Sequence, residues 1–377
     1  MASYPGALFL SALHKYASIL VDYSVHVGKG EEVAIRGTVE ALPLLKEIYR
    51  AILEKGAYPT LLISDDTLTE IFYEHASEDH LKHISPITRV LYEEYDVFIN
   101  ILSPTHTKTL VGIDPAKQAL MSQTLRPLNE RFFKEAAEGK KKWTVAPYPT
   151  LAMAQEAGMS PGDFEEFVYR ALKLDEEDPV KAWREQSERQ KRLIEELLSK
   201  ADELRFQGPG IDLTVKVGGR RWISDDGHEN MPGGEVFTGP VEDSVDGCVE
   251  FDYPAVYRGV EVEGVKLCFR NGRVYEYSAV KGRDFLEKMV NLDEGSARLG
   301  ELAFGLNYSI TRATKEILFD EKIGGTVHMA LGAGYPETGS QNKSAIHWDM
   351  IKDMKSPEAR VYVDGELAYR AGRFLLW

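Results

Sequence analysis

The sequence contains little cysteine, an excess of acidic over basic residues, and no long apolar run. Two cysteines, Cys248 and Cys268, in 377 residues are too few for a disulfide framework, and we expect two buried thiols. No apolar stretch approaches the ~18–20 residues needed to cross a membrane. The run at residues 7–13 is short, lacks a preceding basic region and continues into a helical pattern. We therefore expect no signal peptide, no membrane partner and a cytoplasmic location.

The charge balance argues against a nucleic-acid partner. The chain has 45 basic and 60 acidic residues, a formal net charge of −15, whereas nonspecific nucleic-acid binding depends on clustered lysine and arginine. A nucleotide site is also disfavoured. Gly28-Lys-Gly30 precedes a strand instead of following one, and neither a Walker motif nor a complete dinucleotide fingerprint occurs.

The first half of the chain alternates between strand and helix patterns. Residues 33–36 and 59–64 are typical of strands, and residues 39–55 between them have helical spacing that ends at Gly56. Residues 96–102 predict a third buried strand. Such an order implies parallel strands joined by right-handed crossovers.

The pattern changes after a charged helical segment at residues 183–204. Beyond residue 208 the sequence alternates β-branched and polar residues. Strands are expected at residues 212–217, 247–251, 260–270 and 273–277, the last two joined by an Asn271-Gly272 turn. We therefore expect two domains. Residues 1–205 would form an α/β N-terminal domain with a mostly parallel sheet, and residues 206–377 an α+β C-terminal domain with an antiparallel-rich sheet.

The last third of the chain holds carboxylates and imidazoles in glycine-rich and turn-rich surroundings. They are Glu235, Glu301, His328, His347 and Asp349. In an extended segment His347 and Asp349 point to the same face, because strand side chains alternate. A charged Glu301 would be costly among its apolar neighbours unless a partner such as a metal ion removed that cost.

These residue types suit a hard or borderline cation. Oxygen and nitrogen ligands without thiolates favour Zn²⁺, Co²⁺, Mn²⁺ or Mg²⁺, and five ligands exceed what one tetrahedral ion needs. The set therefore favours a hydrolytic site with two divalent metal ions per subunit. Taken singly, each residue also has a structural interpretation, with His328 as a core histidine, Glu235 as a turn residue and the His347–Asp349 pair on an edge strand.

The motifs that carry these residues resemble, in order and spacing, the thermophilic aminopeptidase family, the metallopeptidases of the aminopeptidase T and aminopeptidase S type. The resembling segments are residues 230–238, 299–301, 325–328, 331–336 and 346–349, with two more at residues 143–150 and 153–159. The resemblance implies two divalent ions held by Glu235, Glu301, His328, His347 and Asp349. It also implies a catalytic Tyr335, peptide substrates and a homodimer.

We therefore expect a metal-dependent aminopeptidase that releases single N-terminal residues from short peptides. Two ions would activate a water and polarise the scissile carbonyl. Glu235, Glu301 or Asp349 could bridge them, and we expect Glu301 to combine metal binding with the role of general base. Tyr335 would donate a hydrogen bond to the tetrahedral oxyanion.

Two other functions use the same residues. A two-metal phosphoesterase needs similar ligands, although no arginine or lysine cluster accompanies these motifs. The non-enzyme alternative is a peptide-binding or metal-binding protein without turnover.

Overall fold

The computed structural model describes residues 5–377, and side chains from residue 11 onward. The chain divides into two compact units. The first extends to Trp183 and includes Gly227–Pro232, and the second comprises Arg184–Asp226 and Gly233–Trp377. The boundary expected between residues 205 and 206 stays a prediction.

The first unit contains a parallel sheet with helices. Its strands are β1 (Glu32–Thr38), β2 (Tyr58–Ser64), β3 (Val97–Leu102) and β4 (Lys142–Pro147). They are arranged in the order β2-β1-β3-β4, and every neighbouring pair is parallel. The helices are α1 (Pro5–Ser18), α2 (Leu42–Glu54), α3 (Asp66–His75), α4 (Glu78–Leu81), α5 (Pro86–Glu94), α6 (Pro115–Ala137), α7 (Leu151–Glu156), α8 (Pro161–Ala171) and α9 (Pro179–Glu196), which continues into the second unit. The expected α/β architecture with a mostly parallel sheet is confirmed.

The ends of α2 and α9 follow from the residues around them. Gly56 follows α2 with a φ of +71°, the left-handed conformation that commonly ends a helix. The predicted helix at residues 183–204 is too long, because α9 ends at Glu196 and a strand begins at Glu203. Leu204 and Phe206 are fully buried. Their period of two fits a strand, not the last turns of a helix.

The second unit is dominated by antiparallel pairing. Its larger sheet has eight strands in the order β13-β12-β9-β6-β5-β17-β18-β19, and a smaller one has five in the order β16-β15-β14-β8-β7. The strands are β5 (Glu203–Gly208), β6 (Ile211–Lys216), β7 (Ile223–Asp225), β8 (Glu235–Thr238), β9 (Asp246–Glu250), β10 (Ala255–Tyr257), β11 (Val260–Val262), β12 (Lys266–Arg270), β13 (Arg273–Ser278), β14 (Leu299–Gly305), β15 (Thr326–Gly332), β16 (His347–Asp353), β17 (Arg360–Val363), β18 (Glu366–Arg370) and β19 (Arg373–Phe374). Two helices, α10 (Arg283–Val290) and α11 (Ile317–Asp320), complete the unit. The expected antiparallel-rich α+β architecture is confirmed.

The five-stranded sheet buries one face in the core of the second unit. Alternating residues of β8, β14, β15 and β16 belong to that core: Val236, Leu302, Phe304, Val327, Met329, Leu331, Trp348 and Met350. Because strand side chains alternate, the residues between them point to the other face. The candidate ligands are among those residues.

The expectation of two buried thiols is wrong, because Cys248 and Cys268 form a disulfide. The two residues are directly opposite each other on β9 and β12, with 4.1 Å between their Cα atoms. Only the register of the antiparallel pair brings the sulfurs together.

Within residues 5–377, no helix is both long enough and apolar enough to span a membrane.

Candidate metal centre

One face of the five-stranded sheet carries all five ligands predicted from the sequence. Glu235 lies on β8, Glu301 on β14, His328 on β15, and both His347 and Asp349 on β16. Residues opposite each other on neighbouring strands share a face. The register aligns Glu301 with Ala330, and Ala330 with Asp349.

Small residues separate the ligands on this face. Ala303 lies opposite His328, Gly305 opposite Glu235, and Gly332 opposite His347. A row of larger side chains would fill the space above the sheet. Small neighbours leave that space to the carboxylates and imidazoles, so ligands from separate strands can converge.

The ligand atoms form two groups, in each of which the atoms lie within 4.8 Å of one another. The first ligand group is Glu235, Glu321 and His328, and the second ligand group is Glu301, His347 and Asp349. Glu301 connects them. Its Oε1 lies 3.8 Å from His328 Nε2, and its Oε2 lies 3.0 Å from His347 Nε2.

Glu321 is the member of the site that sequence reasoning missed. It follows α11 directly and lies on no strand, so neither the period-two pattern nor the resembling motifs include it. The end of α11 is fixed because the buried Asp320 accepts hydrogen bonds from the N–H groups of Thr314 and Lys315, at 2.7 and 2.8 Å. A sequence signal was present, since Asp320-Glu321-Lys322 interrupts an otherwise apolar segment shortly before His328.

The imidazole of His347 is oriented by the backbone. Its Nδ1 lies 2.7 Å from the carbonyl oxygen of Ala333, and because a carbonyl only accepts, Nδ1 must carry the proton. The other ring nitrogen, Nε2, then faces Glu301 and lies 3.5 Å from Asp349 Oδ1. A backbone partner of this kind commonly fixes the tautomer of a metal-binding histidine.

The residues present fit divalent cations. Within the described part of the chain, Glu235 Oε2, Asp349 Oδ1 and both ring nitrogens of His328 are buried without a hydrogen-bond partner. A buried polar atom left unpaired costs about 1–3 kcal/mol, and more if it is charged. Coordination would satisfy these atoms, and oxygen and imidazole donors suit Zn²⁺, Co²⁺ or Mn²⁺.

In the metal-free protein, neighbouring carboxylates hold protons on both imidazoles. Burial alone would lower the pKa of His347, but Asp349 and Glu301 raise it to about 12. Burial likewise opposes protonation of His328, whose pKa Glu301 and Glu235 raise to about 9. Only a neutral imidazole ligates a metal, so binding of an ion would have to displace these protons.

A buried lysine lies against the first ligand group. Lys322 Nζ is 3.2 Å from Asp225 Oδ2 and 3.4 Å from Glu235 Oε1, and it also donates to Glu321. Burial alone would lower the pKa of Lys322, but Glu235, Glu321 and Asp225 raise it well above its ordinary value. Lys322 therefore carries its positive charge inside the site.

Tyr335 lies beside the second group. Its ring centre is 5.0 Å from that of His347 and 5.3 Å from that of Phe237, and the residue is 38% exposed. Burial of its hydroxyl, with the negative charge of Glu301 and Asp349, raises the pKa of Tyr335 far above its ordinary value. The hydroxyl therefore keeps its proton and can act as a hydrogen-bond donor.

The segment between Tyr335 and His347 is anchored by two carboxylates. The N–H of Gln341 donates to Glu242 and the N–H of Ala345 donates to Asp293, each at 2.7 Å. These bonds fix the backbone on the approach to β16.

The chain is similar to known proteins along most of its length. Residues 9–374 match the model of the thermophilic metalloprotease family M29. Aminopeptidase 2 of Geobacillus stearothermophilus is 30% identical over 93% of this chain and 90% of its own length, and aminopeptidase AmpS of Bacillus subtilis is 28% identical over 92% and 90%. The solved structure of AmpT from Thermus thermophilus has the same fold, with a TM-score of 0.81 and 24% identity over 97% of this chain and all of that one. The family suggested by the sequence motifs is confirmed, and this chain belongs to the thermophilic metalloproteases.

Proposed function

We propose that this protein is a dinuclear metallo-aminopeptidase that releases single residues from the N-terminus of short peptides. The observation that carries the proposal is the pair of adjacent ligand groups with Glu301 turned towards both. Membership of a metalloprotease family and the aminopeptidase names of its relatives support a peptide substrate.

Each ligand group would hold one divalent ion. Glu235, Glu321 and His328 would bind the first ion, and His347 and Asp349 the second, with Glu301 as the bridging carboxylate. This arrangement extends the ligand set expected from the sequence by Glu321. Zn²⁺, Co²⁺, Mn²⁺ and Mg²⁺ are all compatible with the donors, although two imidazoles favour the first three.

Ions held in this way supply Lewis acidity and lower the pKa of a coordinated water. Glu301 would accept a proton from the attacking water, because its carboxylate faces both ligand groups. It would then deliver the proton to the leaving amine. Tyr335 would donate its hydrogen bond to the oxyanion that forms at the scissile carbonyl.

The phosphoesterase alternative is less well supported. Lys322, the cation next to the ligands, is fully buried and paired with carboxylates, so it is not available to bind a phosphate group. The non-catalytic alternative would give metal binding without turnover.

Two further expectations also remain proposals. A homodimer is supported by the family resemblance and by the apolar surface of α3, where Leu68, Ile71 and Phe72 are exposed. Analytical ultracentrifugation tests it.

A cytoplasmic location is harder to reconcile with the Cys248–Cys268 disulfide, since disulfides are uncommon in reducing compartments. Cell fractionation with trapping of free thiols would test the location and the pairing together.

The function is tested by metal removal and by the products. Chelation should abolish hydrolysis, and added Co²⁺, Zn²⁺ or Mn²⁺ should restore it. Mass spectrometry of a short-peptide digest should give a ladder shortened from the N-terminus. We expect N-acetylated versions of the same peptides to react at least ~10²-fold more slowly, because a blocked terminus leaves buried polar groups unpaired. Internal cleavage products, or equal rates on acetylated peptides, would exclude the aminopeptidase assignment.

A further inference from the structure

Lys322 is an internal cation that forms ion pairs with three carboxylates. Its side chain has no exposure, and its partners are Asp225, Glu235 and Glu321. An ammonium group has three hydrogens to donate, which matches three carboxylates. Glu235 and Glu321 also belong to the first ligand group, so the same carboxylates would serve both the lysine and a metal ion.

The backbone positions of Glu235 and Glu321 are set by contacts that do not involve the lysine side chain. Glu235 is fixed by β8, which pairs with β7 on one side and β14 on the other. Glu321 is fixed by α11, whose end is held through Asp320. Because strand pairing and the end of α11 already hold both residues in place, the distinctive contribution of Lys322 is its charge.

That charge has opposite effects in the two states of the site. Without an ion, Lys322 offsets part of the negative charge of three closely spaced, buried carboxylates, and removal of one partner from a buried ion pair is strongly destabilising. With an ion bound, the ammonium and the ion repel each other at short range. The lysine therefore stabilises the metal-free fold and weakens ion binding at the first group.

We propose that Lys322 is a built-in counter-cation, which takes the place of the first metal ion's charge when the site is metal-free and so makes that ion the more readily exchanged of the two. The inference rests on the proposed metal site. It adds to that proposal a residue that contacts ligands without being one, and an order of affinity for the two ions.

The test compares four proteins in excess chelator and again with Mn²⁺. They are the wild type, Lys322→Met, Lys322→Met combined with Asp225→Asn, and Lys352→Met as a matched control. Lys352 is also buried and pairs with a carboxylate, Asp252, at 2.9 Å, but it lies on the opposite face of the sheet from the ligands.

In chelator, the melting temperature of Lys322→Met should fall by roughly 10 °C, because the three buried carboxylates lose the cation that contacts all of them. Asp225→Asn should recover part of that loss, because it removes one of the three negative charges that Lys322 contacts. If Lys322 served only to fill space, the added Asp225→Asn substitution would not raise the melting temperature of the Lys322→Met protein. If the double variant melts no higher than the single one, the counter-cation role is excluded.

With Mn²⁺, the rise in melting temperature should be larger for Lys322→Met than for the wild type, and unchanged for Lys352→Met. Equal rises in all variants would overturn the inference. If Lys322→Met folds only when metal is supplied, that result also supports the inference, because the stability of the variant then depends on the metal ion more strongly than that of the wild type. The comparison in chelator needs no bound ion, so it tests the role of Lys322 even if the wild type does not bind metal. Absence of metal binding by the wild type would count against the proposed function and not against the role of Lys322 in the metal-free protein.

Discussion

Glu301 and His347 meet across an intervening strand. Glu301 lies on β14 and His347 on β16, yet Glu301 Oε2 is 3.0 Å from His347 Nε2, although β15 separates the two strands. The register aligns Ala330 of β15 with Glu301 on one side and Asp349 on the other. A methyl side chain at that position lets the longer residues reach each other above the sheet.

Replacement of Ala330 by valine tests the importance of this space. The two added methyl groups would lie between Glu301 and Asp349 in a fully buried position, and overpacking a tight site typically costs about 1–3 kcal/mol. We expect bound metal to fall and hydrolysis to be lost. Met329→Leu, on the core face of the same strand, is the control and should keep its metal. Normal metal content in Ala330→Val would mean that the ligands do not need this space.

The role of Tyr335 is separable from metal binding. In Tyr335→Phe the ring remains beside His347 and only the hydroxyl is lost. Metal content and melting temperature should therefore be unchanged, while kcat falls roughly 10²-fold or more, as for the loss of an oxyanion donor. Steady-state kinetics on a peptide, with metal analysis of the same sample, measures both. A variant as active as the parent would remove Tyr335 from the mechanism.

An ion-pair network away from the metal site makes stability depend on pH. Glu261 contacts Lys281 at 2.5 Å and Lys315 at 2.6 Å. Hydrogen bonds from these two lysines hold the pKa of Glu261 at about 2, below its ordinary value of 4.5. A carboxylate with a depressed pKa stabilises the fold above its ordinary pKa, and the stabilisation is lost as pH falls from about 4.5 to about 2.

Glu261→Gln should therefore lower the free energy of unfolding at neutral pH, by about 1 kcal/mol for a small network. The difference from the wild type should disappear as pH falls through that window. Glu263→Gln removes a carboxylate that pairs with Lys281 at 2.7 Å and is the control, with a smaller expected effect. Urea melts at pH 7 and pH 3 measure both variants. A penalty that stays constant with pH would show that charge is not its cause.

The strand-borne part of the site was accessible from the sequence because strands impose a simple rule. His347 and Asp349 are two residues apart, so an extended backbone puts them on one face, and His328 lies between small residues and glycines in the sequence. The parallel order of the first unit likewise followed from alternating strand and helix patterns with Gly56 as a stop. In each case the signal is local, within a few residues of the feature it predicts.

What the sequence did not reveal depends on contacts between distant segments. Glu321 reaches the ligand group only through the packing of α11. Cys248 and Cys268 meet only because β9 and β12 pair in one particular register. The end of α9 was missed because the charged segment kept its helical spacing, and the burial of Leu204 and Phe206 in the core turned the last residues into a strand.

The most direct test of the two-metal account is the number of ions per chain, measured by elemental analysis after reconstitution with Zn²⁺ or Co²⁺ and removal of the excess. The wild type should bind two. Glu321→Gln should lose mainly the first ion and Asp349→Ala the second, so each should retain about one, and neither should be active. A wild type that binds a single ion at full activity, or a Glu321→Gln variant that keeps both ions, would contradict the account.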